Sequence, residues 1–129
     1  MKEYHQFYIN GSWVDPINGL NKLDVLNPAT EEPIGSIALG SSEDVNAAVE
    51  AAKNAFASFS SSEKEERVGY LEKIIEIYMK RSSEMAEAIS SEMGAPMSLA
   101  SKAHSPSGLG HFMTALETLK NYDFEQQKD

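Results

Sequence analysis

Cysteine is absent from the 129-residue sequence, which excludes a disulfide framework, a thiolate metal site and a cysteine nucleophile. Long hydrophobic runs are also absent. The sequence has no stretch of about 18 consecutive apolar residues, which is the length that a membrane-spanning helix needs. The first residues, MKEYHQFYING, contain no apolar core of the length that a signal peptide needs. We therefore expect a cytoplasmic protein.

Positive charge is scarce, with 11 lysine and arginine residues against 20 aspartate and glutamate residues and a net charge of −9. Binding to nucleic acid relies on lysine and arginine contacts to phosphate, and anionic membrane surfaces also attract positively charged segments. We therefore expect neither nucleic acid nor a membrane as a partner. The length suits one domain, which we divide into β-ribbons over 1–40, helices over 41–123 and a polar tail over 124–129.

Residues that commonly carry chemistry are few and poorly grouped. The histidines, His5, His104 and His111, do not fall at a spacing typical of metal ligands, so we favour surface or structural roles for them. The segment 108–110, Gly-Leu-Gly, lacks the preceding strand and the third glycine of a dinucleotide-binding loop. The residues by themselves predict no active site.

A hairpin is predicted over residues 6–15. Phe7 and Ile9 alternate with polar neighbours, and Asn10 and Gly11 can supply the positive φ angles of a type I′ turn. Because two-stranded ribbons are only marginally stable alone, this hairpin needs a surface to pack against.

The sequence then predicts two more strands and a long helix. Leu23 and Val25 mark one strand, and residues 34–39 mark the next. Ser41 can cap the helix, and Asp44 occupies the acidic position of a capping box three residues later. One helix face carries the larger apolar residues and a second face carries small ones: Val45, Ala48, Val49, Ala52, Phe56 and Phe59, and Ala47, Ala51 and Ala55.

Another helix is predicted after the serine-rich break that follows Phe59. Ser62 and Glu65 form a second candidate capping box. Apolar residues recur at helical spacing from Val68 to Tyr78, and the helix is expected to stop and restart at Ser82 or Ser83.

The last helices are separated by glycine and proline. Gly94 is predicted to end the restarted helix as its C′ residue, and a short helix is predicted over 98–103. Ser105 followed by Pro106 resembles a cap and a first helical residue, and an apolar stripe then runs from Leu109 to Leu119.

Four segments resemble the N-terminal part of the aldehyde dehydrogenase superfamily. They are FYINGSWVD at 7–15, VLNPATEEPIGSIALG at 25–40, SSEDVNAAVEAAKNAF at 41–56 and RVGYLEKIIEIYMKRSSEMAEAISSEMGAP at 67–96. None is a catalytic fingerprint, but their order and separations carry the resemblance. The resemblance implies a mainly α fold with short N-terminal β-hairpins or ribbons. This is the N-terminal part of the α/β cofactor-binding domain, without a parallel Rossmann sheet of its own.

The resemblance also implies an activity for a longer protein. Members oxidise aldehydes to carboxylic acids with NAD or NADP, using a cysteine thiolate that attacks the aldehyde and a glutamate that activates water. In the family these residues and the cofactor-binding loops lie beyond the equivalent of Asp129, so no catalytic or cofactor-binding residue is assigned here. We interpret the chain as a fragment or truncated product that is inactive alone and binds no dinucleotide by itself.

One site is implied within the sequence, a structural monovalent cation near the N-terminal strands. The matching ligand positions are the backbone carbonyl of Leu26 and the side chain of Glu92, where the family usually has aspartate, and the remaining ligand is expected from chain beyond this sequence. The alternative is that Glu92 is a solvated carboxylate near a helix end.

Three interpretations of function follow. The chain is the N-terminal segment of an NAD(P)-dependent aldehyde dehydrogenase, a stand-alone acidic helical interaction module, or a subunit that completes a separate catalytic chain. The expected partners are the remainder of a dehydrogenase chain or further copies of this chain in a homo-oligomer. Because three helices carry apolar stripes, we expect the isolated chain to be marginally stable or to self-associate.

Overall fold

The structure, a computed structural model, describes residues 2–125. The chain forms two compact units, one of residues Met1–Ser61 with Ser91–Gly94 and one of Ser62–Ser90 with Ala95–Asp129. Residues 126–129 of the predicted polar tail lie outside the described residues. Within 2–125, no helix combines the length and the apolar composition needed to cross a bilayer.

A three-stranded sheet forms part of the first unit. Its strands are β1 (Lys2–Tyr4), β4 (Lys22–Leu26) and β5 (Pro33–Ala38), in the order β1-β5-β4. β4 runs antiparallel to β5, as expected for a direct connection, and β1 runs parallel to it. β1 was not predicted, because its three residues are all exposed and only pairing with β5 defines the strand.

The predicted hairpin is present as β2 (Phe7–Ile9) and β3 (Ser12–Val14), paired antiparallel. Its turn residues Asn10 and Gly11 have φ angles of 52° and 77°, which confirms the type I′ prediction. Tyr8 and Trp13 face each other across the strands with ring centroids 5.3 Å apart, and both are exposed.

The long helix α1 (Ser42–Phe59) begins where the sequence predicted, with Ser41 as its cap. The Asp44 carboxylate completes the predicted capping box, because it accepts from the Ser41 N–H at 2.8 Å and from the Ser41 hydroxyl at 2.7 Å. Asp44 also accepts from the Ile17 N–H at 2.9 Å, which joins the helix start to the loop between β3 and β4. Although charged, Asp44 is almost fully buried, so these donors replace the water that it loses.

We expect Asp44→Asn to lower the melting temperature at neutral pH and to lose this effect in acid. The Ile17 N–H, followed by the Ser41 N–H and hydroxyl, holds the pKa of Asp44 below its usual 3.8. A carboxyl with a lowered folded pKa stabilises the fold above its unfolded pKa, and the contribution disappears as pH falls through the folded pKa. The difference in melting temperature between Asp44→Asn and the unsubstituted chain should therefore narrow below about pH 4.

Thermal melts across a pH series measure this difference. Glu50→Gln, on an exposed position of the same helix, is the matched control and should follow the unsubstituted chain. A gap between Asp44→Asn and the unsubstituted chain that stays constant from pH 7 into strong acid would contradict the assignment.

The second unit is helical. Its main elements are α2 (Lys64–Lys80), most of α3 (Ser82–Met93), α4 (Met97–Leu99), a π-helical turn (Ala100–His104) and α5 (Ser105–Asn121). The predicted restart at Ser82 is confirmed. The prediction of a second capping box at Ser62 and Glu65 is wrong. Glu63 precedes α2 and makes no side-chain cap, and the Ser62 hydroxyl accepts from Arg67 Nε at 2.8 Å instead.

Ser105 is not a helix cap, contrary to the prediction. The helical path continues from α4 through the π-helical turn into α5, and the wider turn accommodates Pro106, which has no N–H to donate. The Ser105 hydroxyl instead donates to the Ser82 carbonyl at 3.0 Å, and Tyr78 donates to the Ser105 carbonyl at 2.9 Å. Tyr78 also packs on Phe112, with ring centroids 5.9 Å apart, so these contacts join three helices of the unit.

Candidate functional site

The two predicted cation ligands belong to the same unit, near one turn. Leu26 ends β4, and the Asn27 side chain accepts from the Ala29 N–H at 2.9 Å in the turn that follows. Gly94 ends α3 with a φ of +71°, which confirms its predicted role, and a Cβ at Gly94 would lie 2.9 Å from Cγ of Pro28. The fold therefore brings the end of α3 against the Asn-Pro turn.

These residues do not form a complete metal site. Glu92 and Leu26 are both exposed, and residues 2–125 contain no cluster of three or more His, Cys, Asp and Glu side chains that could hold a metal ion. A structural cation needs several oxygen ligands, of which this pair supplies at most two. The cation at Leu26 and Glu92 stays a prediction.

One serine and one histidine that are distant in the sequence lie within hydrogen-bonding distance of each other, and the sequence patterns did not predict this pair. His5 Nε2 and Ser36 Oγ are 2.8 Å apart, although 31 positions separate the two residues. A nucleophilic serine must be reachable by substrate, and Ser36 is only 4% exposed on the central strand of the sheet. The pair therefore fixes the segment after β1 to β5 and supports a structural role for His5.

His104 lies in the π-helical turn. Its Nδ1 atom is buried without a hydrogen-bond partner among the described residues. His111 is exposed on α5. His104 and His111 thus lie on one continuous helical path, and His5 lies in the segment after β1.

A cavity of about 320 Å³ opens in the second unit beside Tyr78. Its walls combine four serine hydroxyls with apolar side chains; the lining residues are Tyr78, Met79, Ser82, Ser83, Ala86, Ser101, Ser105, Pro106 and Leu109. Three of its hydroxyls, those of Tyr78, Ser101 and Ser105, donate to backbone carbonyls. No ionisable acid, base or thiol other than the tyrosine lines it, so the cavity offers shape and hydrogen bonds but no general base.

One carboxyl with a lowered pKa, Glu76, lies on the exposed surface of α2. Hydrogen bonds from Lys73, at 2.8 Å, and from Lys80 lower the pKa of Glu76 to about 2. All three side chains are exposed and lie three and four residues apart, the spacing that stabilises a helix surface. This shift reports an ion-pair cluster and not a reactive carboxylate.

Residues 2–125 therefore contain a scaffold of ribbons and helices in which the one Ser–His pair described above, His5 and Ser36, is closed off by the burial of Ser36. The comparison with known proteins explains this arrangement. The sequence profile described as "Aldehyde dehydrogenase family" matches residues 13–128, and the chain belongs to that family. The resemblance carried by the four sequence segments is confirmed.

Relatives match nearly the whole chain. The 3-succinoylsemialdehyde-pyridine dehydrogenase of a Pseudomonas species is 45% identical over 127 residues, which cover 98% of this chain and 26% of that protein. The chain spans about a quarter of the length of the curated relatives it matches, 27% for staphylococcal relatives that are 44% identical to it.

Solved structures show the same fold. The aldehyde dehydrogenase of Bartonella henselae is 43% identical, with a TM-score of 0.94 over 98% of this chain and 26% of that chain. A variant of aldehyde dehydrogenase C from Pseudomonas syringae, solved with NAD+ and octanal, is 38% identical with a TM-score of 0.92 over 97% of this chain and 26% of its own. The predicted fold, mainly helical with small N-terminal sheets, is confirmed.

Proposed function

We propose that this chain forms the N-terminal part of an NAD(P)-dependent aldehyde dehydrogenase that oxidises an aldehyde to a carboxylic acid. The observation that carries the proposal is the match of 98% of the chain to the Bartonella enzyme at a TM-score of 0.94. The NAD+ in the Pseudomonas syringae structure supports a nicotinamide cofactor, which accepts hydride when bound. The remainder of such a dehydrogenase chain is the proposed partner, in a homo-oligomer.

In this proposal the chain acts as a scaffold and supplies no reacting group. It contains no cysteine to attack an aldehyde, and its buried hydroxyls at Ser36 and Ser105 are engaged in holding strands and helices together. Its contribution to catalysis is to support and position residues on other parts of the enzyme.

A chimeric enzyme tests the proposal directly. This chain replaces the matched N-terminal 26% of the Pseudomonas syringae enzyme, taken with its natural catalytic residues. We expect octanal-dependent NADH formation by the chimera, followed by the absorbance of the reduced nicotinamide, and none by the same enzyme lacking the segment.

A second chimera that carries the Bartonella segment is the matched control, since that segment is 43% identical to this chain. An active Bartonella chimera beside a folded but inactive chimera of this chain would overturn the proposal.

The chain alone should show no aldehyde-dependent formation of NADH or NADPH above buffer. The reason is that no thiolate is available to form the covalent intermediate on which the family's chemistry depends. Turnover by the purified 129-residue chain, after a second purification has removed contaminating enzyme, would contradict this expectation.

A further inference from the structure

The tripeptide Ile-Asn-Gly occurs twice in the first unit, at 9–11 and at 17–19. In both copies the asparagine and the glycine are exposed, and both glycines have positive φ angles, 77° at Gly11 and 82° at Gly19. An asparagine side chain is most open to attack by the next backbone nitrogen when glycine follows, because glycine has no Cβ to obstruct the approach. The two copies therefore share one intrinsic reactivity, and any difference between them comes from the fold.

The reacting groups of the copy at 17–19 are held by two hydrogen bonds. The Asn18 side-chain amide donates to Glu43 Oε2 at 2.9 Å, across 25 positions of sequence. The Gly19 N–H donates to the Pro16 carbonyl at 3.2 Å, so the nitrogen that attacks in such a reaction is engaged in the turn. Both groups must leave their partners before they can meet.

The main chain just before Asn18 is also anchored to the start of α1. The Ile17 N–H donates to the buried Asp44 carboxylate at 2.9 Å. Glu43, which holds the Asn18 amide, is the neighbour of Asp44 in the first turn of the helix. The turn at 17–19 is thus free to rearrange only when its contacts with α1 are lost.

The copy at 9–11 carries neither restraint. Among residues 2–125, no hydrogen bond is made by the Asn10 side chain or by the Gly11 N–H. The turn is closed only by the three-residue strands β2 and β3, and a two-stranded ribbon of that length opens at little cost. Opening lets the Asn10 side chain swing onto the Gly11 nitrogen.

We propose that Asn10 is a site of spontaneous deamidation in this protein and that Asn18, in the same tripeptide, is protected. The Gly11 nitrogen gives up its proton to solvent and attacks Cγ of Asn10. The N–Cγ bond forms, the Cγ–Nδ2 bond breaks, and Nδ2 takes a proton from solvent and leaves as ammonia. Water then opens the cyclic imide at Cγ to give isoaspartate-free aspartate, or opens it at the backbone carbonyl carbon to give isoaspartate. No step oxidises or reduces the chain.

Isoaspartate at position 10 changes the hairpin itself. It routes the main chain through the side-chain carbon, so the two-residue turn gains one backbone atom and loses the geometry of a type I′ turn. The pairing of Ile9 with Ser12 and the contact of the Tyr8 and Trp13 rings at 5.3 Å depend on that turn. The proposal concerns the folded first unit alone and is independent of the dehydrogenase function.

Timed incubation of the folded 129-residue chain in mildly alkaline buffer, followed by peptide mapping with mass spectrometry, measures conversion at each asparagine. Methylation by an isoaspartyl methyltransferase distinguishes isoaspartate from aspartate. We expect Asn10 to convert at least about fivefold faster than Asn18, which is the population ratio that the net free energy of one hydrogen bond gives. In urea, where neither turn persists, the two rates should converge because the tripeptides are identical.

Glu43→Ala separates the effect of the fold from that of the sequence. It removes the acceptor of the Asn18 amide, so Asn18 should convert faster while Asn10 keeps its original rate. Glu50→Ala, on an exposed position of the same helix, is the matched control and should change neither rate. Circular dichroism checks that both variants keep their helix content. Equal rates at Asn10 and Asn18 in the folded chain, or an Asn10 that converts in urea but not in the folded chain, would overturn the proposal.

The fluorescence of Trp13, the only tryptophan, tests the consequence for the hairpin. Its emission should change in parallel with the isoaspartate content at position 10, because the contact with the Tyr8 ring is lost. Asn10→Asp adds the charge without lengthening the main chain and should keep the emission of the unmodified protein. An aged chain that is rich in isoaspartate and still matches Asn10→Asp would contradict the loss of pairing.

Discussion

Gly108→Ala is expected to destabilise the second unit by about 1–3 kcal/mol, as overpacking of a filled site does. A Cβ at Gly108 would overlap the Tyr78 hydroxyl oxygen and lie 3.0 Å from Cζ of the same ring. The ring cannot move away without cost, because Tyr78 donates to the Ser105 carbonyl and packs against Phe112. A lost hydrogen bond adds about 1 kcal/mol to the steric cost, and the better helix propensity of alanine offsets about 1 kcal/mol.

Chemical denaturation followed by far-UV circular dichroism measures this change in the free energy of unfolding. Gly110→Ala is the matched control, because it lies in the same helix with no atom within 4 Å of its Cβ position. It should stabilise the chain by up to about 1 kcal/mol through helix propensity alone. In a Tyr78→Phe background the penalty at Gly108 should shrink, since the nearest contact is removed. Equal effects of the two alanine substitutions would show that α5 does not pack on Tyr78.

Gly35→Ala is expected to cost about 1–3 kcal/mol in the first unit by forcing β1 and β5 apart. Gly35 is buried on the central strand, and a Cβ there would lie 2.8 Å from the backbone carbonyl oxygen of Lys2. A side chain can rotate away from such a contact, but the carbonyl is fixed by the parallel pairing of β1 with β5. The expected result is loss of β1 from the sheet or a strained sheet that melts at lower temperature.

A shortened chain without residues 2–4 provides the test of this cause. It lacks the Lys2 carbonyl, so Gly35→Ala should have little effect there although it destabilises the complete chain. Gly69→Ala, on α2 with no atom within 4 Å, controls for a general effect of replacing glycine. A penalty of equal size in the complete and shortened chains would place its origin elsewhere.

The features that the sequence determined by itself depend on hydrogen bonds between near neighbours. The Asn10-Gly11 turn, the Ser41 cap with Asp44 three residues later and the helix end at Gly94 each follow from the conformational preferences of a few adjacent residues. The four segments in order were likewise sufficient to indicate the aldehyde dehydrogenase family, because order and spacing are properties of the chain alone.

Local sequence patterns did not predict the contacts between residues that are distant in the chain. β1 exists only through its pairing with β5, more than 30 positions away, and its own residues show no strand signal. Ser105 has the sequence context of a helix cap, yet the Ser82 carbonyl and Tyr78 hold it inside a continuous helical path. In each case a long-range hydrogen bond outweighed the local preference.

The surface of α1 shows the same division. The sequence determined that Val45, Val49 and Phe56 share one face, because an α-helix returns to the same side every three to four residues. Only the tertiary structure decided that this face stays exposed while the hairpin borders its flank, since burial depends on which elements the fold brings together. The physical reason is that helical periodicity is a property of the local backbone, whereas burial is a property of the assembled chain.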